Sequence, residues 1–416
     1  MTGTLSIRQS LGNMLGKMFQ GNRDMYNVYG YSKNVQYQDC VARYQRQDVA
    51  ARIVDVPADS LWANPPIITT GNAEWDSAWS ELVTAQNLWN KISRVDKLAG
   101  MGQYAVLLVG YDKTPLLDMP VTNVAGRKVA YLQPYSVDAA KTSTYVTDPN
   151  SPRFMKPAIY QISPVVDASL LGSSGTTTGV ATAFQVHYSR ILHIAEGCLV
   201  DELIGNPRMF RVFNLLDDLM KVCGGSAETF WIVSNRGMQV DIDKEMELTE
   251  DDEAALSDEI EEYTHNLRRV IRTRGVNINS LGSDSPDPMN IFQVIMSLIA
   301  GATGLPKRIL MGSEAGHLAS GQDRNNWAER IEERRTTFGE PIVLWPLIRQ
   351  LTAAGVLPTV PEENIVIEWP DAFKLSPLEI AQTAAQRANA AANITRAWAT
   401  APDLVTPEVA RKVLDF

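Results

Sequence analysis

The sequence predicts a mixed α+β chain, and three observations carry that expectation. Short apolar runs of strand length crowd the first half, amphipathic helices dominate the second, and one segment is sharply polarised in charge. At 416 residues the chain has core enough for two or three domains. Cys40, Cys198 and Cys223 are far apart and form no CxxC, so neither a disulfide framework nor a zinc site is expected. No apolar run reaches the roughly 18–20 residues that span a bilayer. The best, YAVLLVGY at 104–111, has strand length. Arg8, Lys17 and Arg23 precede no apolar signal core, so the reading is no export and no membrane. A net charge of −10 counts against a surface that grips nucleic acid, yet suits a passage through which DNA slides.

Residues 1–30 are polar, with scattered Gly, Gln and Asn, and read as a loosely ordered arm. QRQDVAARIVDVPADSLW at 45–62 has helical spacing and is expected to end near Pro57. Two amphipathic helices follow at 73–87 and 89–101. Strand patterns then fall at 105–110, 128–132, 158–162 and 184–194. Before the last lies SLLGSSGTTTGVAT at 169–182, which reads as a hairpin tip or flexible loop. The mixed first half ends near Pro207.

A helix is expected at 208–222, with Phe210, Phe213, Leu216 and Leu219 on its apolar face. Gly224 and Gly225 should interrupt it, and 229–234 resumes it or forms a strand. Between 241 and 262 stand twelve acidic residues and one lysine; four arginines follow at 268–274. Thr249 suits an N-cap with Asp252 at the capping-box position, and Leu256, Ile260, Tyr263, Leu267 and Ile271 keep one face apolar. The plain reading is a solvated, well-capped helix. The sharper one is that its charged ends, Glu250, Asp251, Asp252 and Glu259 against Arg268, Arg269 and Arg272, pair between neighbouring subunits. The stretch 291–302 is apolar on nearly every face, so it must be covered on all sides, in a core or between subunits. From Gln322 a helix runs to Pro341, where a kink or break is expected, and its pattern continues to 354. NIVIEWP at 364–370 reads as a strand, an Ala-rich helix covers 377–399, and Thr406-Pro407 starts a last short one.

Catalytic motifs were sought against this frame. In GLPKRILMGSEAGHLASGQD, Gly316 and Gly321 have the spacing of a phosphate-binding loop. Gln322 and Asp323 stand where that loop needs Lys and a hydroxyl, and an Asp there repels phosphate. The glycines suit a flexing connection between helices, with Ser320 capping the second. His187, His193, His265 and His317 have no metal-binding spacing, with His187 and His193 on one expected strand. No nucleophile elbow or Cys–His pair is present. The reading is no enzyme and no cofactor.

Several stretches in a fixed order resemble the portal proteins of tailed phages, in their shorter branch. These are VAARIVDVPADSLW at 49–62, LAGMGQYAVLLVGYD at 98–112 and FQVHYSRILHIAEG at 184–197. IAGATGLPKRILMGSEAGHLASGQD at 299–323 and IVIEWPDAFKLSPLEIAQTAAQRANAAANI at 365–394 complete the series. The resemblance implies a flexible arm at 1–29 and a mixed α+β wing at 30–207 and 321–370. It implies stem helices at 208–235 and 286–303 around a small α/β clip at 236–285. A tunnel loop at 304–320 and a short helical crown at 371–416 complete the portal fold.

It further implies a virion protein made in the host cytoplasm and assembled as a ring, typically of twelve copies, at one capsid vertex. Double-stranded DNA would pass through the ring. The terminase large subunit and head–tail adaptor would dock on the clip, and the major capsid protein or scaffold would surround it. Lys307, Arg308, Gly312, Ser313, Glu314, Gly316, His317 and Ser320 would belong to the tunnel loop. There Lys307 and Arg308 either touch phosphates or pair with Glu314. The expected alternatives are another minor capsid or adaptor protein, or a phosphodiesterase or nuclease. A related phage family cleaves cyclic nucleotides with two His-x-Ser/Thr pairs, of which this chain shows His187-Tyr188-Ser189 alone.

Overall fold

The computed structural model describes residues 24–113, 116–163, 183–234, 238–242, 254–255, 257–258, 261, 276–280, 287–312, 317–371 and 377–400. A short helix, α1 (Met25–Tyr29), leads into α2 (Tyr37–Arg46), which opens on a capping box formed by Gln36 and Asp39. Helix α3 (Asp48–Trp62) continues through Pro57 instead of ending there. Strand β1 (Ile67–Thr69) precedes α4 (Ala73–Gln86), whose N-cap Asn72 accepts from the backbone of Glu74 and Trp75. Asn87 takes the left-handed conformation between α4 and α5 (Leu88–Met101).

Strand β2 (Ala105–Tyr111) is buried on both faces, which explains its unbroken apolar run. It lies between β3 (Val129–Ser136) and β7 (Ile191–Ile194) in an antiparallel sheet. A second antiparallel sheet joins β4 (Ala140–Tyr145), β5 (Pro157–Ile162) and β6 (Phe184–His187). Val106 and Leu108 face a core shared with Tyr160, Ile162 and Val186 of the second sheet. Leu107 and Val109 face a larger core in which Trp62, Trp75 and Trp79 gather. The expected strand at 184–194 is two strands in different sheets, split by a 3-10 turn at Tyr188–Arg190. Strands β1 and β4 escaped the sequence pattern because they are short and mostly solvated.

Helix α6 (Phe213–Ser234) is continuous through Gly224 and Gly225, so the expected interruption is absent. Glycine lowers helix propensity by about 1 kcal/mol without breaking the hydrogen-bond ladder. Ser226 and Thr229 also bond back to the carbonyls of Val222 and Gly225. Strands β8 (Met238–Ile242) and β9 (Val276–Ser280) pair antiparallel, and α7 (Met289–Thr303) packs back along α6. The stretch expected as a loop at 304–320 contains a helix, α8 (Lys307–Met311), and α9 (His317–Arg334) begins before Gln322. Ser320 therefore lies inside α9 and is not its cap.

Pro341 does not break the long helix. A π-helical segment, Arg335–Leu344, absorbs it and hands over to α10 (Trp345–Ala354), with the Trp345 N–H reaching the Glu340 carbonyl. Strand β10 (Val366–Glu368) returns to pair with β1, placing Ile67 opposite Glu368. The Ala-rich stretch forms α11 (Pro377–Thr400). The helix expected from Thr406 lies outside the described residues.

Where the first sheet meets the long helices, the buried Asp96 gathers three half-buried charged side chains, Glu196, Arg208 and Arg334. Asp96 on α5 is 0% exposed. It accepts from Trp62 Nε1 at 2.8 Å, from Arg334 Nη2 at 2.7 Å, and from Arg208. Glu196, just beyond β7, accepts from Arg208 Nε at 2.9 Å and pairs with Arg334. Two carboxylates against two guanidiniums leave the cluster neutral, and that balance is what makes its burial tolerable. Arg208 also donates to the Val54 carbonyl of α3 at 2.6 Å. Burial alone would push the Glu196 carboxyl up, but the guanidiniums of Arg208 and Arg334 overcome it and hold the group at about 2. Burial likewise works against the Arg208 charge, and the same carboxylates hold its pKa above the usual arginine value.

Two outcomes follow from this junction. A Cβ on Gly100 would lie 2.6 Å from Arg208 Cζ. Gly100→Ala should therefore destabilise the fold by about 1–3 kcal/mol in thermal unfolding, although alanine is the better helix former. Because the Glu196 pKa is depressed, its contribution is complete above its ordinary 4.5 and is lost as pH falls toward 2. Glu196→Gln should cost about 3–5 kcal/mol near neutral pH and flatten that acid loss, as measured by denaturant midpoints across pH.

Candidate functional site

The junction fixes where α6 begins, and α6 with α7 then projects from it. At its root, α6 buries Phe213, Leu216 and Leu219 against α2 and α3, and α7 adds Ile295, Met296 and Ile299. Tyr31 staples the incoming chain to this pair, its hydroxyl donating to Asp218 Oδ2 at 2.6 Å. The hydrogen bond to Asp218, with burial second, raises the Tyr31 hydroxyl to about 12. Arg43 pairs with Asp217 beside it and lies over the Phe213 ring.

The opposite side of α7 is bare. Ile291, Val294 and Leu298 lie three and four residues apart, and each is more than half exposed: 56%, 59% and 53%. Farther out on α6, Phe230 and Trp231 are 71% and 69% exposed. The expectation that 291–302 must be covered on all sides is thus met on one side only within a single chain. A contiguous apolar stripe of this kind marks an interaction surface.

The turn after α7 places the other expected residues. Gly304 closes α7 in the left-handed region at φ 69°, and Gly312 closes α8 at φ 66°. Lys307 Nζ bonds to Gln293 on α7, so its charge is held against that helix. Arg308 lies in α8 beside it. His317 and Ser320 belong to the first turns of α9. Ser313, Glu314 and Gly316 lie outside the described residues, and with them the pairing of Glu314 with Lys307 or Arg308. So do Glu250, Asp251, Asp252, Glu259, Arg268, Arg269 and Arg272. The hairpin of β8 and β9 brackets that acidic and basic stretch.

His187 and His193 are committed to structure. His187 Nδ1 accepts from the Ser189 N–H at 3.3 Å and lies 2.9 Å from its hydroxyl, closing the turn between the sheets. Burial, then Arg153, lowers its pKa. His193 Nε2 donates to the Leu203 carbonyl at 2.8 Å, which leaves Nδ1 to accept from the Tyr160 hydroxyl at 3.1 Å. Among the described residues no group of three or more His, Cys, Asp or Glu could hold a metal ion. No helix among them is long and apolar enough to cross a membrane. The buried cluster of Asp96, Glu196, Arg208 and Arg334 was not anticipated. Its one local signal is Asp96 itself, a carboxylate on the apolar face shared by Ile92, Val95 and Ala99.

Similar proteins share this arrangement. A chain in the neck of a native GTA particle computed with C12 symmetry is 15% identical. Its likeness covers 91% of this chain and 93% of that one, with a TM-score of 0.54. A chain in the neck of an empty GTA particle computed with C6 symmetry is also 15% identical, over 94% and 98%, with a TM-score of 0.55. A third, from the virion of a native gene transfer agent particle, is 16% identical over 94% and 98%, with a TM-score of 0.52. At such identities the likeness speaks for the fold. No curated protein sequence matches the chain significantly. Residues 38–393 match the phage portal proteins, a structural rather than enzymatic family. That match spans most of the sequence, from α2 into α11, and the chain therefore belongs to the phage portal protein family.

Proposed function

We propose that the chain is the subunit of a portal ring at one capsid vertex, through which double-stranded DNA enters during packaging and leaves during infection. The observation that carries this reading is the stripe of Ile291, Val294 and Leu298, on a helix whose other side is core. A second copy is the natural cover for such a stripe, because repeating one contact around an axis covers every copy equally. The similar chains come from particle necks computed with C12 and C6 symmetry, which supports a ring and is consistent with twelve subunits.

In this reading 30–207 and 321–370 form the wing, α6 and α7 the stem, 236–285 the clip and 371–416 the crown. The clip, with its acidic and basic stretches, is the surface offered to the terminase large subunit and to the head–tail adaptor. The turn at 304–320 faces the DNA. The net charge of −10 per chain suits a passage that must not hold its cargo.

Light scattering and negative-stain imaging of the purified chain test the ring directly. Rings of uniform mass are expected, and a monomer at every concentration would overturn the reading. Val294→Asp with Leu298→Asp should reduce assembly by at least about tenfold while far-UV circular dichroism stays unchanged. Deleting 236–285 should leave rings that no longer bind the terminase motor; retained motor binding would remove the clip assignment.

A further inference from the structure

The segment between β7 and Arg208 carries a braced apolar tip that no described residue covers. Leu199 is 81% exposed and Val200 is 98% exposed. A bare aliphatic pair is ordinary on a floppy loop, but this loop is braced on both sides. Asp201 Oδ1 accepts from the backbone N–H of Leu203 at 2.8 Å and of Ile204 at 2.7 Å. His193 donates to the Leu203 carbonyl, and the Gly205 N–H donates to Gln103 at 2.8 Å. Asn206 closes the base, its N–H donating to the Glu196 carbonyl and its side chain to the Gly197 carbonyl. Gly205 is required there, since a Cβ would fall 2.1 Å from the Glu196 carbonyl oxygen. The backbone flanking the tip is thus held in place, which lowers the ordering cost on contact.

A matching recess lies on other elements. Between α3, α6, α7 and α8 is a groove of about 770 Å³ whose walls are Leu219, Met220, Phe292, Met296, Leu310 and Met311. Methionines of this kind adapt to an inserted aliphatic side chain. The rim carries Arg46 and Arg52, both exposed, with Asp48 between them. Asp48 is turned to its own helix, accepting from the Val49 N–H at 2.8 Å. The tip has the opposite character: two aliphatic residues are followed by Asp201 and Glu202, the latter 81% exposed and paired with Lys156 at 2.7 Å, an exposed pair that a partner's arginine can exchange with.

We propose that the Leu199–Val200 tip of one copy seats in this groove of the next, with Asp201 and Glu202 facing Arg46 and Arg52. This contact rests on the ring reading above and gives it a second, specific joint beside the α7 stripe. Tip and groove are different surfaces of one chain, so the contact is head-to-tail and repeats around a closed ring. Each copy lends its tip forward and receives another behind.

The chain supplies half of a cross-linking test. Cys223 is exposed and lines the groove, whereas Cys40 is buried. In a Cys198→Ser background, Val200→Cys should form an intersubunit disulfide with Cys223 when assembled protein is treated with copper phenanthroline. A ladder of covalent oligomers on non-reducing gels is expected, collapsing with dithiothreitol and vanishing when Cys223→Ser is added. Leu199→Asp with Val200→Asp should raise the concentration needed for assembly at least tenfold. Arg46→Glu should weaken assembly, and Glu202→Arg in the same chain should restore it.

Intact rings that give no ladder while both thiols react with maleimide would overturn the proposal. So would rings that form normally with the doubly aspartate-substituted tip, which would leave the groove to a different protein. A wild-type chain that stays monomeric by light scattering would instead overturn the ring reading itself.

Discussion

Four paired charges, one fully buried and three half-buried, hold the rest of this molecule in place where α5, the end of the first sheet, the start of α6 and the end of α9 converge. Asp96, Glu196, Arg208 and Arg334 come from four separate stretches of chain, and each guanidinium touches both carboxylates. None of the four would be stable in that position alone, since an unpaired buried charge costs several kcal/mol. The cluster therefore forms as a whole. Its requirements reach into the neighbouring backbone: Gly100 must be bare to admit Arg208, which also takes the Val54 carbonyl of α3. A directional, all-or-none junction of this kind fixes the angle at which α6 leaves the sheets. Apolar packing, which is not directional, does that less sharply.

From that junction the apolar surface is divided unevenly. The roots of α6 and α7 are buried among α2, α3 and α8, while the outward side of α7 and the far end of α6 stay bare. A helix that is apolar all round normally lies inside a core. Here one chain covers half of it and leaves the remainder for a partner. The same division recurs at the braced tip of Leu199 and Val200 and at the Met-lined groove, the two halves of the proposed contact. The proposed ring joins these halves without asking any copy to change shape.

Much of the secondary structure was legible because its signals are local. Asn72 ahead of an amphipathic stretch, the unbroken YAVLLVGY, and the 289–303 pattern each contain their period and their ends within a few residues. The misreadings share a cause as well. Pro57, Gly224, Gly225 and Pro341 are helix breakers in isolation, yet each helix runs on because tertiary packing outweighs a local penalty of about 1–3 kcal/mol. At Pro341 the backbone widens to a π-helix, while at Pro57 the α-helix runs on unchanged. The turn at 304–320 proved partly helical for a different reason, since its glycines at 304 and 312 are helix C-caps and not general sources of freedom.

The sequence by itself determined most of the helices and the longer strands, where the apolar stripes lie, and that its Gly-rich stretch lacks the lysine and hydroxyl a phosphate would need. These follow from periodicity and residue chemistry, which act over one or two turns of chain. Only the tertiary structure decided which residues meet: β1 with β10, the two histidines with Ser189 and Tyr160, and Asp96 with arginines more than one hundred positions away. Such pairings depend on how long segments pack, and two arginines next to each other, Arg334 and Arg335, show the limit. One joins the central cluster, while the other is buried beside Glu332 and Trp369. Nothing in the local pattern distinguishes them; the direction of the helix surface each occupies does.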